Sequence, residues 1–127
     1  KLSDYKGKKL VIFFYPKAST PGCTVQACDL RDNYHNFLSK GYEILGVSAD
    51  SAKRQVNFKE KNELPFPLIA DTDREIIESF GVWGEKKFMG RTFDGIHRTT
   101  FIIDQNGIIE EVIDKVKTKD HTKQILI

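Results

Sequence analysis

Residues Lys9–Leu30 read KLVIFFYPKASTPGCTVQACDL. The stretch opens with an unbroken apolar run, KLVIFFY, rich in Val, Ile and Phe and ended by Pro16. Such a run predicts a central strand buried on both faces. A turn of Pro, Ser, Thr and Gly follows, and a helical pattern starts near Cys23. Cys23, Ala27, Leu30, Tyr34 and Phe37 recur at three- and four-residue spacing, which predicts one buried stripe, with Gly41 as the helix stop. A strand feeding a turn and then a helix puts that turn at the carboxyl edge of a sheet, where α/β sites gather.

Working outward, YEILGVSAD (Tyr42–Asp50) predicts a second strand, and its closing Ser/Asp cluster suits a helix cap. Val56, Phe58 and Leu64 make a weaker helical pattern, and PFPLIAD (Pro65–Asp71) predicts another short strand. Asp73 precedes REIIESFGV, a short helix stopped by Gly81, and WGEKKFMGRTFDG reads as a glycine- and aromatic-rich loop. HRTTFIIDQNGIIEEVI carries two β-branched runs around Asn106-Gly107, a hairpin signal, and HTKQILI opens a last helix. This alternation predicts a three-layer α/β/α domain with a central mixed sheet. No repeat, low-complexity tract or linker divides residues 1–127, so a single domain is expected.

A chain of 127 residues can bury a core without disulfide or metal staples. Its 39% hydrophobic and 30% charged residues are those of an ordinary soluble protein. Twenty Lys and Arg stand against 18 Asp and Glu, interspersed as in NFKEKNE and DKVKTKD, which gives no nucleic-acid footprint. No apolar run approaches the length of a membrane span. The chain starts at Lys1 without Met or an apolar signal region, and is read as a piece of something longer. Two cysteines are too few for a secreted disulfide scaffold, so a reducing cytoplasmic setting is expected.

Cys23 and Cys28 are therefore a metal pair, a redox pair or two small core residues. A zinc site wants about four ligands, commonly with two cysteines about two to four residues apart. Here the spacing is Cys-x₄-Cys, there is no second cluster, and His35, His97 and His121 are scattered. A core role is natural for free cysteines. Against it, Cys23 sits where a helix begins, and free N–H groups and the positive dipole end stabilise an anion there. Five residues on an intact helix separate the two Cα atoms by roughly 8.6 Å, beyond the about 7 Å limit for a disulfide. A bond between them requires the first turns of the helix to unwind.

The segment Pro16-Lys17-Ala18-Ser19-Thr20-Pro21-Gly22-Cys23 resembles the Pro-x-x-x-Thr-x-x-Cys active-site motif of peroxiredoxins. Its continuation, TVQAC, together with FGVWGEKKFMGR and GIHRTTFIID, is similar to the bacterioferritin comigratory protein (peroxiredoxin Q) subfamily. The resemblance implies a thioredoxin-like fold and a thiol peroxidase of antioxidant defence without cofactor or metal, a monomer or a weak dimer. It implies that Cys23 is the peroxidatic cysteine, attacking hydrogen peroxide or an organic hydroperoxide to become a sulfenic acid. It implies Cys28 as the resolving cysteine, whose intramolecular disulfide thioredoxin reduces. Thr20 would hydrogen-bond the peroxide, Pro16 would shield the site from water, and Arg98 would stabilise the thiolate and the peroxide oxygens. Cleavage of the O–O bond puts negative charge on the departing oxygen. The N–H groups of Gly22 and Cys23, the Thr20 hydroxyl and the Arg98 guanidinium are fixed donors for it. The family also carries an N-terminal hairpin before this point and a longer final helix, both absent from these residues.

Each residue has a plainer reading. Thr20-Pro21 alone is a helix N-cap followed by proline in the first turn. Arg98 opening a strand is an exposed charge, and Arg31 a solvated one. Trp83, Phe88 and Phe93 form a hydrophobic rim or an oligomer contact, and His97 is non-catalytic. Two other functions stay open: a thioredoxin-type disulfide reductase, which the spacing disfavours because those sites use Cys-x₂-Cys, and a thiol-based redox sensor.

Overall fold

The computed structural model describes residues 7–88 and 90–126. The apolar run forms β1 (Lys9–Phe14), which pairs in parallel with β2 (Tyr42–Ser48) and antiparallel with β6 (Thr99–Ile103). β3 (Leu68–Ala70) extends the sheet beyond β2, and β7 (Ile109–Ile113) extends it beyond β6. The order β3-β2-β1-β6-β7 puts β1 at the centre of a mixed sheet, as expected.

Side chains alternate across β1, so two cores form. Val11, Phe13 and Tyr15 pack under α1 (Pro21–Asp32), α2 (Tyr34–Ser39), α3 (Ala52–Lys61) and α5 (His121–Ile125). Leu10, Ile12 and Phe14 face the other way, toward α4 (Glu75–Ser79) and Phe101. The layers are thus helix, sheet, helix, with β1 buried on both faces.

Three expectations need correction. The stripe from Cys23 to Phe37 belongs to two helices, not one. Asn33 breaks them apart, its Nδ2 donating to Asp29 O at 2.8 Å, an alternative to a helical backbone bond. Leu30 and Phe37 still share one core, and Gly41 (φ +82°) ends α2 as anticipated. In α3 the buried residues are Gln55 and Phe58, whereas Val56 is exposed and Leu64 packs from beyond the helix. Gln55 reaches the core because its two polar ends are satisfied there, by Tyr15 and by Ile69 O.

The third correction is the segment read as a loop. It is a two-stranded antiparallel hairpin, β4 (Trp83–Phe88) and β5 (Arg91–Ile96), closed by the pair Phe88↔Arg91. β5 is mostly exposed, so its sequence lacks the apolar alternation by which a strand is recognised. Among the described residues no helix is long and apolar enough to cross a membrane.

Candidate active site

β1 ends at Phe14, and residues 15–20 turn the chain into α1. Thr20 occupies the N-cap with extended backbone (φ −83°, ψ 154°), and Pro21 is the first helical residue. Proline suits that place, since its missing N–H would have had no helical partner. The Thr20 side chain does not cap the helix; its Oγ1 donates to Lys17 O at 2.8 Å. With its proton committed to that carbonyl, the hydroxyl has only its lone pairs left for a further partner.

The turn is pinned from below. Ser19 adopts φ +65°, a left-handed conformation costing about 1 kcal/mol or more for a residue with Cβ. Beside it, the Ala18 amide donates to Asp50 Oδ2 at 2.7 Å. Asp50 also accepts from Ser48 Oγ at 2.7 Å and pairs with Arg54 Nε at 3.3 Å. The Ser/Asp cluster after β2 therefore does two jobs: Ser51 caps α3, and Asp50 anchors the turn. Pro16 is half-buried at the start of this turn.

Cys23 is a free thiol, 1% exposed, in the first turn of α1. Arg98, in the residue before β6, brings Nη2 to 3.3 Å from Cys23 Sγ while its Nη1 donates to Gln26 Oε1. A Cβ on Gly22 would lie 3.4 Å from that Nη2, an ordinary van der Waals contact, so the guanidinium packs directly over the first turn. The Gly22 and Cys23 amides have no acceptor within the helix and stand at its positive end. A guanidinium and a helix N-terminus thus converge on one buried sulfur.

Two further groups feel that sulfur. Burial pushes the Tyr15 phenol well above the ordinary tyrosine value, against the pull of its hydrogen bonds to Ser48 and Gln55, so it stays neutral. Lys86, on β4, donates from Nζ to Ile96 O at 2.8 Å. Burial foremost, then the charge of Arg98, holds it below the ordinary lysine value, and the Cys23 sulfur pulls the other way.

Cys28 is also free and is half-buried. Its Sγ lies 3.8 Å from Asn62 Oδ1, and Arg31 Nη1 donates to Asn62 O at 2.8 Å. Arg31 therefore docks α1 on the end of α3 instead of standing free in solvent. Both cysteines lie in one unbroken helix, the wound arrangement in which their Cα atoms are roughly 8.6 Å apart.

Arg98 meets Cys23, Thr20 stands three residues before that cysteine at the N-cap of the same helix, and Cys28 lies further along it. Trp83 is half-buried beneath the Arg74 guanidinium, 4.3 Å from its ring centre, and Phe93 is exposed. The Phe88 side chain lies outside the described residues. His97 is exposed and its amide donates to Val82 O. Sequence reasoning missed Gln26 and Asp50. The available signal for Gln26 was its place one turn after Cys23, a polar residue on an otherwise apolar stripe.

A buried thiol under a guanidinium at the edge of a mixed sheet defines a redox enzyme that works through sulfur, and the known proteins agree. The chain belongs to the AhpC/TSA family, whose model matches residues 1–112. Within it the chain is a peroxiredoxin, a peroxidase with the thioredoxin-like fold, of the Bcp and peroxiredoxin Q group. It is 55% identical over 125 residues to a putative peroxiredoxin Bcp of Haemophilus influenzae, spanning 98% of this chain and 81% of that protein. It is 50% identical to peroxiredoxin Bcp of Escherichia coli, spanning 98% of this chain and 80% of that protein. The bacterioferritin comigratory protein of Xanthomonas campestris, solved in trapped intermediate and ligand complexes and described for alkyl peroxide reduction, superposes with a TM-score of 0.94. That match is 39% identical and covers 99% of this chain and 79% of that one.

Proposed function

We propose that this peroxidase works through Cys23 as the peroxidatic thiolate and Cys28 as the resolving thiol, with thioredoxin as reductant. The observation that carries the reading is the Arg98 Nη2 contact, 3.3 Å from the buried Cys23 sulfur. The sulfur attacks the terminal oxygen of the hydroperoxide. The S–O bond forms as the O–O bond breaks, and the departing oxygen takes a proton and leaves as water or alcohol. Arg98 and the Gly22 and Cys23 amides are fixed donors for the charge that grows on the departing oxygen. The Thr20 oxygen accepts the hydroperoxide O–H, and Pro16 keeps bulk water from the sulfur.

Cys23 is then a sulfenic acid. Cys28 attacks it, an S–S bond forms, and the hydroxyl leaves as water. A dithiol of thioredoxin reduces the disulfide by exchange, returning both thiols. Two free cysteines suit a reducing cytoplasm, where the protein would act as a monomer on hydrogen peroxide and organic hydroperoxides.

Cys23→Ser and Cys28→Ser test the assignment. The first is expected to abolish peroxide-dependent oxidation of thioredoxin. The second is expected to allow one turnover and leave a sulfenic acid that an alkylating probe traps. Full activity in the Cys23 variant, or sustained turnover with thioredoxin in the Cys28 variant, would remove the corresponding role.

A further inference from the structure

Gln26 lies in α1 three residues after Cys23 and two before Cys28, and it is wholly buried. Its Oε1 accepts from Arg98 Nη1. A guanidinium has no acceptor, so this bond sets the orientation of the amide and turns Nε2 the other way. There Nε2 has no hydrogen-bond partner and no solvent contact, and among the described residues it is the one buried side-chain N or O atom in that condition. Gln55, equally sequestered, uses both ends of its amide. A buried donor left unpaired destabilises the state that buries it more than an average hydrogen bond stabilises it.

That state is the wound α1. The cost is relieved when the segment between the two cysteines opens to water, which is the movement Cys28 needs to cross the gap of roughly 8.6 Å. We infer that Gln26 is a positioning residue for disulfide formation: its half-satisfied buried amide biases α1 toward unwinding and so delivers Cys28 to Cys23. The inference rests on the resolving role of Cys28. Arg98 links the bias to the chemistry, because one guanidinium holds Gln26 Oε1 and faces Cys23 Sγ. When oxidation takes the negative charge off the sulfur, the grip of that guanidinium on the first turns of α1 loosens.

Gln26→Met keeps the volume and removes the unpaired donor together with the acceptor of Arg98 Nη1, and Gln26→Leu is a second variant of the same kind. In both, amide protection of residues 23–28 in the reduced protein is expected to rise by on the order of tenfold, as relief of a buried unpaired donor allows. Disulfide closure after one equivalent of peroxide is expected to slow by a similar factor, with more sulfinic acid under excess peroxide. A residue with a merely structural role would lower protection when removed. The peroxide step, recognised by its dependence on peroxide concentration, also slows because Arg98 loses an anchor. Closure as fast as in the parent, or reduced protection, in both variants overturns the inference. Absence of any Cys23–Cys28 disulfide in the oxidised parent, read by mass spectrometry before any variant is made, overturns the resolving role and the inference together.

Discussion

Arg98 reaches back from the start of β6 to place Nη2 3.3 Å from Cys23 Sγ, a contact spanning 75 residues of sequence. Its other η-nitrogen is fixed by Gln26, so the fork is aimed before substrate arrives. Removing a preorganised donor of this type costs about 10²–10³ in rate. Arg98→Met is expected to slow peroxide reduction by about that factor. Arg98→Lys should recover little, because a single ammonium cannot span the sulfur and the Gln26 oxygen. Stopped-flow measurement of the peroxide-dependent rate decides it, and a lysine variant near parent speed would show that charge alone suffices.

Asp50 lies outside the catalytic motif but holds the turn that carries it. Asp50→Ala strands the Ala18 amide, which is buried, along with the Ser48 hydroxyl. A cost of about 1–3 kcal/mol in unfolding free energy is expected, together with slower peroxide reduction because Thr20 and Pro16 lose their support. Urea titration and initial rates read the two effects separately. Loss of stability with an unaltered rate would show that the turn holds its shape without Asp50.

Much of this was legible in the sequence, and what was not has a common cause. β1, the Pro21 helix start, the Gly41 stop and the hairpin around Asn106-Gly107 all rest on local signals, namely apolar runs, caps and turn chemistry. The Cys-x₄-Cys spacing likewise foretold two thiols held apart on one helix. Gln26 and Gln55 are buried because of partners 72 and 40 residues away, and no apolar period reports such a partner. Among the described residues β4 and β5 pair only with each other, and apart from Trp83 and Ile96 at one end they carry little inward apolar face. The break at Asn33 is a side-chain-to-backbone bond that competes with the helix, which a stripe of core residues passes over.

Thr20 offers a sharper test of hydrogen-bond direction. Its proton goes to Lys17 O, which leaves only its lone pairs for a bound hydroperoxide. Thr20→Ser preserves that arrangement and is expected to keep most of the peroxide rate. Thr20→Val keeps the shape, loses the hydroxyl, and is expected to fall about tenfold or more, as loss of one transition-state hydrogen bond implies. Because Thr20 is only partly buried, stability should change by about 1 kcal/mol at most. Equal rates in the serine and valine variants would exclude a hydroxyl contact with substrate.

His121 ties α5 to the sheet and makes stability depend on pH. It is wholly buried; Nδ1 lies 2.9 Å from Gln124 Oε1 and Nε2 lies 2.7 Å from Thr100 Oγ1. Gln124 Nε2 donates to Lys115 O, so its oxygen faces the ring, Nδ1 carries the proton, and Nε2 accepts from the threonine. Burial foremost pulls His121 below the ordinary histidine value, outweighing its Gln124 bond and the nearby Asp29 charge, which raise it, while Arg98 adds to the lowering. The folded protein therefore prefers neutral His121, whereas the unfolded chain protonates near the ordinary value of about 6.5. Below that pH the unfolded state binds more protons, so stability is full above it and falls on acidification toward the lowered folded value. The slope from this one group is at most about 1.4 kcal/mol per pH unit. Urea midpoints measured from pH 7.5 down to pH 5 should drop more in the parent than in His121→Gln, with the difference between them constant above about pH 7. Parallel pH profiles for the two proteins would mean that His121 is as easily protonated in the fold as in the open chain.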